Sequence, residues 1–389
     1  MAITLSDDQA CLLRLRAQLL TPQQPAEVIG VAHIVKELCG IQAQEAPAAA
    51  LAVRVRSNGL LATDVERARV QERAVIRTWG PRGTLHLLAT EDIGWLLALL
   101  GPVFIAGDRR RREELGLDEE TCTRGIKITR NVLAEQGPLT RAELVEQLAI
   151  HGLRLEGQAR PHLLSRAALE GIICFGPDRG TEPTYVLLSD WVDQEHRGHS
   201  LSQEAAHTEL ARRYLKAYGP ATPEDLAAWS GMPMSKTRTA WQRIVGQLIE
   251  VEIANRSAWM LKSRSAWLDE LPAHALAQGH APIVRLLPRF DTYLLGYQKR
   301  DLSVPSQHAK RVNAGGGMIH PTVMVDGRVV GTWKSTCKKN YLDVVVEPFD
   351  ELAPGVYAGL EAEVADLARF LGVQSKPTHN LIGHPQLNG

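Results

Sequence analysis

The chain has 389 residues, 44% apolar and 23% charged, with 44 basic residues balanced by 44 acidic ones. That length holds two to four domains with their own cores, and the zero net charge gives no overall attraction to nucleic acid. Five scattered cysteines without Cys-x-x-Cys spacing, no His-Glu-x-x-His pattern and no apolar run near 18 residues argue against a disulfide framework, a metal centre and a membrane span, and for a reducing cytoplasm.

Few aromatics and abundant Leu and Ala favour helices. Residues 7–20 and 31–39 read as the first two and residues 64–71 as a third. Between the second and third lies Cys39-Gly40-Ile41-Gln42-Ala43-Gln44-Glu45-Ala46-Pro47, bracketed by Gly and Pro as a helix end or turn. On an extended segment Gln42 and Gln44 point the same way and face one pocket; on a helix they diverge. A carboxamide donates and accepts hydrogen bonds but does not titrate. The pair can hold a water or a polar substrate edge, and it cannot be a general acid. Two solvated loop amides are the plain alternative.

The next hairpin is Val75-Ile76-Arg77-Thr78-Trp79, the turn Gly80-Pro81-Arg82-Gly83, and Thr84-Leu85-His86-Leu87-Leu88. Arg82 at the turn suits a phosphate contact, Trp79 reads as core, and His86 reads as a core or interface histidine. Arg109-Arg110-Arg111-Arg112 precedes Glu113-Glu114 and reads as a solvated helix face.

A repeat follows. Gly137-Pro138-Leu139-Thr140-Arg141-Ala142-Glu143-Leu144 aligns with Gly219-Pro220-Ala221-Thr222-Pro223-Glu224-Asp225-Leu226. In each, a Thr precedes an acidic residue by three positions, a capping-box signature for a short helix. Helical stretches precede it (122–135 and 204–217) and follow it (161–171 and 235–250). Each copy ends in a hairpin, turning at Gly176–Gly180 in the first and Asn255-Arg256-Ser257 in the second. Helix, capped helix, longer helix, hairpin is the order of a winged helix, and the N-terminal part reads as a third copy. A winged helix commonly sets its third helix in the major groove. Lys236, Arg238 and Arg243 suit that role in one unit; Arg160, His162 and Arg166 suit it less clearly in the other.

From residue 282 the repeat stops. Charge is segregated here: residues 285–340 carry net +7, residues 341–389 net −5, and residues 205–264 net +4. Such segregation makes a local positive field. Asp326-Gly327 between Thr322-Val323-Met324-Val325 and Val329-Val330 is a hairpin signal. Following the Gly-rich Gly315-Gly316-Gly317 loop, this basic hairpin is expected to probe a DNA groove, through Arg328 and Lys334 with His320 nearby. Buttressing of the last winged helix is the alternative for most of its residues.

Together, Gly40-Ile41-Gln42-Ala43-Gln44, the stretch from Arg77 through His86, Phe290-Asp291-Thr292-Tyr293-Leu294-Leu295-Gly296-Tyr297, and the run from Pro321 to Trp333 make the chain similar to the AlkZ/YcaQ-type winged-helix DNA glycosylases over nearly its whole length. The resemblance implies an α+β, helix-rich, C-shaped molecule of three tandem winged-helix units and a C-terminal β-rich segment. The expected divisions are 1–117, 118–200, 201–281 and 282–389. It also implies a catalytic motif at Gln42 and Gln44, supported by Asp291 and Tyr293. Bulky alkylated purines, including interstrand crosslinks, are the implied substrates; the residues themselves offer no anchor for a metal, no cofactor is expected, and the expected partner of a monomeric chain is double-stranded DNA.

Amides fit that chemistry. A sugar hydrolase needs an acid because an alkoxide leaves badly, whereas an N7-alkylated purine is already cationic and departs as a neutral base. The enzyme has only to place a water and stabilise positive charge at C1′. Glu45, beside the motif, is the candidate base; Asp291 reads as structural. Two rival readings are a transcription regulator with a non-catalytic glutamine loop and a protein-docking scaffold.

Overall fold

The computed structural model describes residues 3–22, 29–193, 195, 201–271, 281–315 and 317–375. Strand β1 (Ile3–Leu5) and helix α1 (Asp7–Ala17) open the chain. Then come α2 (Val31–Glu37), β2 (Ile41–Gln42), α3 (Ala46–Arg54), α4 (Ala62–Val70), β3 (Val75–Trp79) and β4 (Leu85–Ala89). Helices α5 (Ile93–Gly107) and α6 (Arg109–Glu114) lead to α7 (Glu119–Gln136), β5 (Leu139–Thr140), α8 (Arg141–Ile150), α9 (Ala159–Leu169), β6 (Ile173–Arg179), β7 (Glu182–Leu187) and α10 (Leu188–Trp191). A third set is α11 (Gln203–Tyr218), α12 (Pro223–Ser230), α13 (Met234–Ile244), β8 (Leu248–Ile253), β9 (Arg256–Leu261) and α14 (Ala266–Asp269). The C-terminal part holds β10 (Val284–Leu287), α15 (Thr292–Leu295), α16 (Ala309–Val312), β11 (Asn313–Gly315), β12 (Met318–Ile319), β13 (Thr322–Val325), β14 (Arg328–Lys338), β15 (Tyr341–Pro348), α17 (Pro354–Leu371) and β16 (Gln374–Ser375). It is a mixed α+β, helix-rich molecule.

Three segments share one connectivity: helix, short strand, helix, helix, hairpin. Their sheets run β2-β4-β3 and β5-β7-β6, and in the third Ala221 bridges Trp259 at the matching place beside β9 and β8. Local chemistry explains the starts. Thr140 accepts from the Glu143 N–H while Glu143 reaches back to the Thr140 N–H, and Thr222 and Asp225 do the same.

The first segment departs from expectation in two ways. Residues 7–20 do not supply its first helix. Instead β1 pairs in parallel with β8, and Leu5, Ala10 and Leu13 share a core with Val251 and Met260 of the third segment. The unexpected element is α3, whose Pro47 sits in the first helical turn. Proline is tolerated there because that N–H has no intrahelical acceptor; read as a loop boundary, it marks a helix start. The glutamine motif therefore lies between the first and second helices of its segment, not the second and third. Two smaller corrections concern the third segment. Its last helix ends at Ile244 instead of residue 250, since Leu248 already pairs with Leu261, and the turn of that hairpin is Ala254-Asn255, both at positive φ.

Helix α5 is the central strut. With the preceding turn it forms an apolar run, Thr90–Gly107, long enough by length and composition to cross a membrane, contrary to the sequence expectation. Its Trp95, Leu96, Leu99 and Leu100 are buried in one cluster with Ile76, Leu88, Tyr214 and Trp229, so interior packing accounts for that composition. A five-stranded sheet, β10-β13-β14-β15-β16, closes the chain under α17. The glycine-rich loop becomes the small β11–β12 pair, with Gly316 outside the described residues.

Candidate active site

The motif is entered through an obligatory glycine. Gly40 has φ +109°, and a Cβ there would lie 2.7 Å from Leu88 Cδ2. Its N–H donates to Val35 C=O at 2.9 Å, closing α2 and turning the chain into β2. Ile41 then pairs with Leu87 and Gln42 with His86, and the Ala43 N–H donates to Leu85 C=O at 2.7 Å. Arg77 secures the exit. Its Nε donates to Ala43 C=O at 3.1 Å and its Nη2 to Gln44 C=O at 3.4 Å, with the guanidinium 4.6 Å from the Phe175 ring centroid.

The two carboxamides are not equivalent. Gln42 is 8% exposed, and its Oε1 accepts from Arg82 Nη2 at 2.6 Å. Gln44 is exposed, its carboxamide has no hydrogen-bond partner among the described residues, and it lines a cleft of about 870 Å³ between the first and second segments. The expected single pocket for both side chains is not what forms, because the strand ends at Gln42 and the chain bends beyond it.

The neighbouring ionisable groups are committed elsewhere. Glu45 Oε1 accepts from Arg289 Nη1 at 2.9 Å and lines a second pocket, about 600 Å³, together with His320 and Lys334. His86 is buried, its Nδ1 3.0 Å from Thr84 C=O; burial first, and then the Arg82 charge, push its pKa down to about 3. It is a neutral core histidine, as its place on an apolar strand suggests.

Arg82, read as a phosphate ligand, is instead an internal clamp. Besides Gln42 it donates from Nη1 to Trp229 C=O at 2.7 Å, in a left-handed conformation at φ +58°. Burial holds its pKa below the usual guanidinium value. The third segment's Gly231 packs on it, leaving 3.0 Å between a Cβ there and Arg82 Cα.

Asp291 and Tyr293 are fully buried, and their hydrogen bonds go to residues outside the motif. Asp291 makes a two-pronged ion pair with Arg56 at 2.7 and 2.8 Å and caps α15 through the Tyr293 N–H. The Tyr293 hydroxyl donates to Gly327 C=O at 2.9 Å. That contact corrects the groove-probing hairpin: the Asp326-Gly327 turn is docked on α1, where a Cβ at Gly327 would sit 2.7 Å from Cys11 Cβ. Arg328 beside it pairs with Asp8 at 2.9 Å. Lys334 is exposed and pairs with Glu347 at 2.7 Å; the other turn of this sheet, the exposed Lys339-Asn340 between β14 and β15, is held by the Gln374 N–H donating to Asn340 C=O at 2.9 Å.

On α13, Thr237, Ala240, Trp241 and Ile244 face inward, leaving Lys236, Arg238 and Arg243 exposed. Arg238 is 3.4 Å from Glu224 and Arg243 2.7 Å from Glu204. On α9 the basic residues are used internally: Arg166 binds Glu119 and Glu170, and His162 binds Asp108. Sequence reasoning passed over Arg77 and Arg289 as site residues. For Arg77 a signal existed, a lone cation inside an apolar strand; for Arg289 none did. No cluster of metal-ligating side chains occurs among the described residues.

A family model described as DNA glycosylase AlkZ-like matches residues 35–370. An interstrand DNA cross-link repair glycosylase from Streptomyces sahachiroi is 31% identical over 376 residues, spanning 94% of this chain and 96% of that protein. The solved structure of the Streptomyces sahachiroi DNA glycosylase AlkZ aligns with TM-score 0.80 and 29% identity, over 98% of this chain and 100% of that one. With a family model covering most of its length and a relative 31% identical over nearly all of it, the chain belongs to the AlkZ-like DNA glycosylase family.

Proposed function

We propose that this enzyme hydrolyses the N-glycosidic bond of bulky, cationic N7-alkylated purines in double-stranded DNA, including those joined in interstrand crosslinks. One observation carries this reading: neither ionisable group flanking the motif is poised to protonate a leaving base, since Glu45 is paired with Arg289 and His86 is held neutral. The substrate must therefore leave without a proton. The C1′–N9 bond breaks, its electron pair neutralises the cationic purine, and a water adds to C1′ and gives up a proton to solvent.

The exposed Gln44 carbonyl is the acceptor that orients this water. Gln42, its carbonyl held by Arg82, is the second motif amide and anchors the strand that presents Gln44 to the cleft. The three repeated segments are read as winged helices in a C-shaped arrangement, with α13 offering Lys236, Arg238 and Arg243 to the duplex. The related glycosylase named for interstrand cross-link repair supports the substrate assignment.

The test is excision from a duplex carrying an N7-alkylguanine, and unhooking of a guanine–guanine crosslink made by a bifunctional alkylator. Gln44→Ala should lower single-turnover excision at least 100-fold, a loss of about 3 kcal/mol of barrier stabilisation, while duplex affinity stays within twofold. Undiminished excision by Gln44→Ala, or comparable rates on unmodified guanine, would sink the proposal.

A further inference from the structure

The cleft beside Gln44 is much larger than the motif requires. At about 870 Å³ it approaches the upper range of small-molecule sites. One wall is aromatic: Trp79 stacks on Phe175 with centroids 5.6 Å apart and 19° between planes, and Phe175 meets Tyr185 at 4.7 Å. Phe175 and Tyr185 are buried, whereas Trp79 is half-buried and lines the cleft.

Register places this wall relative to the reacting end. Trp79 pairs with Leu85, whose carbonyl accepts the Ala43 N–H beside Gln44. Two strand spacings, roughly 10 Å, therefore separate Trp79 from the motif backbone. Gln44 and Trp79 both open into this cleft, so a substantial N7 substituent on a purine held near Gln44 extends toward the Trp79 ring.

Charge does not select the occupant. Four arginines and three glutamates line the cleft, so their fields nearly cancel. Among the arginines, however, Arg141 and Arg154 are exposed and make no ion pair among the described residues. Most other arginines of the chain are satisfied by carboxylates or carbonyls. Glu146, Glu156 and Glu182 are exposed without an ion pair among the described residues too, so it is the forked donors of Arg141 and Arg154, not a net field, that suit the phosphates flanking a lesion.

We propose that the cleft between the first and second segments is a subsite for a flat, aromatic N7 substituent, with Trp79 as its stacking surface and Arg141 and Arg154 holding the adjacent phosphates. This rests on the glycosylase reading of Gln44 and adds a substrate preference to it: among adducts of equal charge and size, aromatic ones are excised faster. Stacking distinguishes a ring's π face from a saturated surface of the same area.

Excision is measured on one duplex carrying N7-benzylguanine, N7-cyclohexylmethylguanine or N7-methylguanine. The wild-type enzyme should process the benzyl adduct with kcat/KM at least tenfold above the cyclohexylmethyl adduct. Trp79→Ala should remove that ratio, and Trp79→Phe should retain much of it, which separates loss of the ring from loss of folding. Arg141→Gln combined with Arg154→Gln should raise KM for all adducts alike and leave kcat unchanged. Equal rates for benzyl and cyclohexylmethyl adducts, or a Trp79→Ala variant that keeps the ratio, overturn the subsite while leaving the glycosylase reading intact. An unchanged KM in the double arginine variant removes the phosphate role and overturns the proposal as stated. Release of none of the adducts overturns the underlying reading, and this proposal with it.

Discussion

Arg82 shows how one side chain sets the behaviour of its neighbours. Its charge fixes the Gln42 amide through a 2.6 Å hydrogen bond and, after burial, is the second influence that depresses His86. Because folded His86 has a pKa of about 3 against about 6.5 when unfolded, the unfolded chain binds the extra proton between those values. The stability from keeping His86 neutral is fully present above about pH 6.5 and is lost as pH falls toward 3. Across that window one such group contributes a slope of up to about 1.4 kcal/mol per pH unit. Urea unfolding at pH 4 to 8 should show His86→Gln with a shallower acid loss than wild type, and the wild-type rate profile should lack an inflection from this histidine near pH 6.5. Parallel stability curves for the two proteins would show that the proton is taken up elsewhere.

At the scale of elements, what the sequence discloses is whatever a few adjacent residues decide. The boxes Thr140–Glu143 and Thr222–Asp225 have donor and acceptor within one turn, and the Asp326-Gly327 turn needs only φ > 0 at both positions, observed as +49° and +87°. Helix α3 was hidden because Pro47 punctuates equally well as an ending or a beginning. The partner of β1 was hidden because nothing local in Ile3–Leu5 names Val251, almost 250 residues away. Likewise Arg289 meets Glu45 only after the terminal sheet has docked.

Helix α13 was legible in both respects, its apolar stripe and its exposed cations. If it lies along the duplex, each cation on a phosphate releases counterions. Lys236→Gln, Arg238→Gln and Arg243→Gln should each reduce the slope of log affinity against log salt by about 0.9. As exposed substitutions they should leave stability within about 0.5 kcal/mol. Anisotropy titrations on undamaged duplex at several salt concentrations measure this, and an unaltered slope moves the DNA off this helix.

The whole molecule is joined by buried ion pairs, and they decide what Asp291 does. Arg56 follows α3, and with Asp291, Thr292 and Gln18 it forms an interior network linking α1, α3 and α15. Nearby Arg54, 1% exposed, binds Glu363 of α17 and Leu286 C=O of β10. The helix whose first turn adjoins the glutamine motif is thus moored at its far end to the terminal sheet. Both members of the Arg56–Asp291 pair are fully desolvated, so removing one strands the other: Asp291→Ala should cost about 3–5 kcal/mol. Replacing both by apolar residues removes the stranded charge, so Arg56→Met with Asp291→Leu should recover much of that loss. Denaturant unfolding measures the recovery, and excision by the same variants separates two roles for the carboxylate. If Asp291 only moors α3, the double variant regains glycosylase activity in step with its stability. If the carboxylate takes part in the chemistry, the double variant folds and stays inactive. The geometry favours the first outcome, because both Asp291 oxygens are already engaged by Arg56 and the Tyr293 N–H.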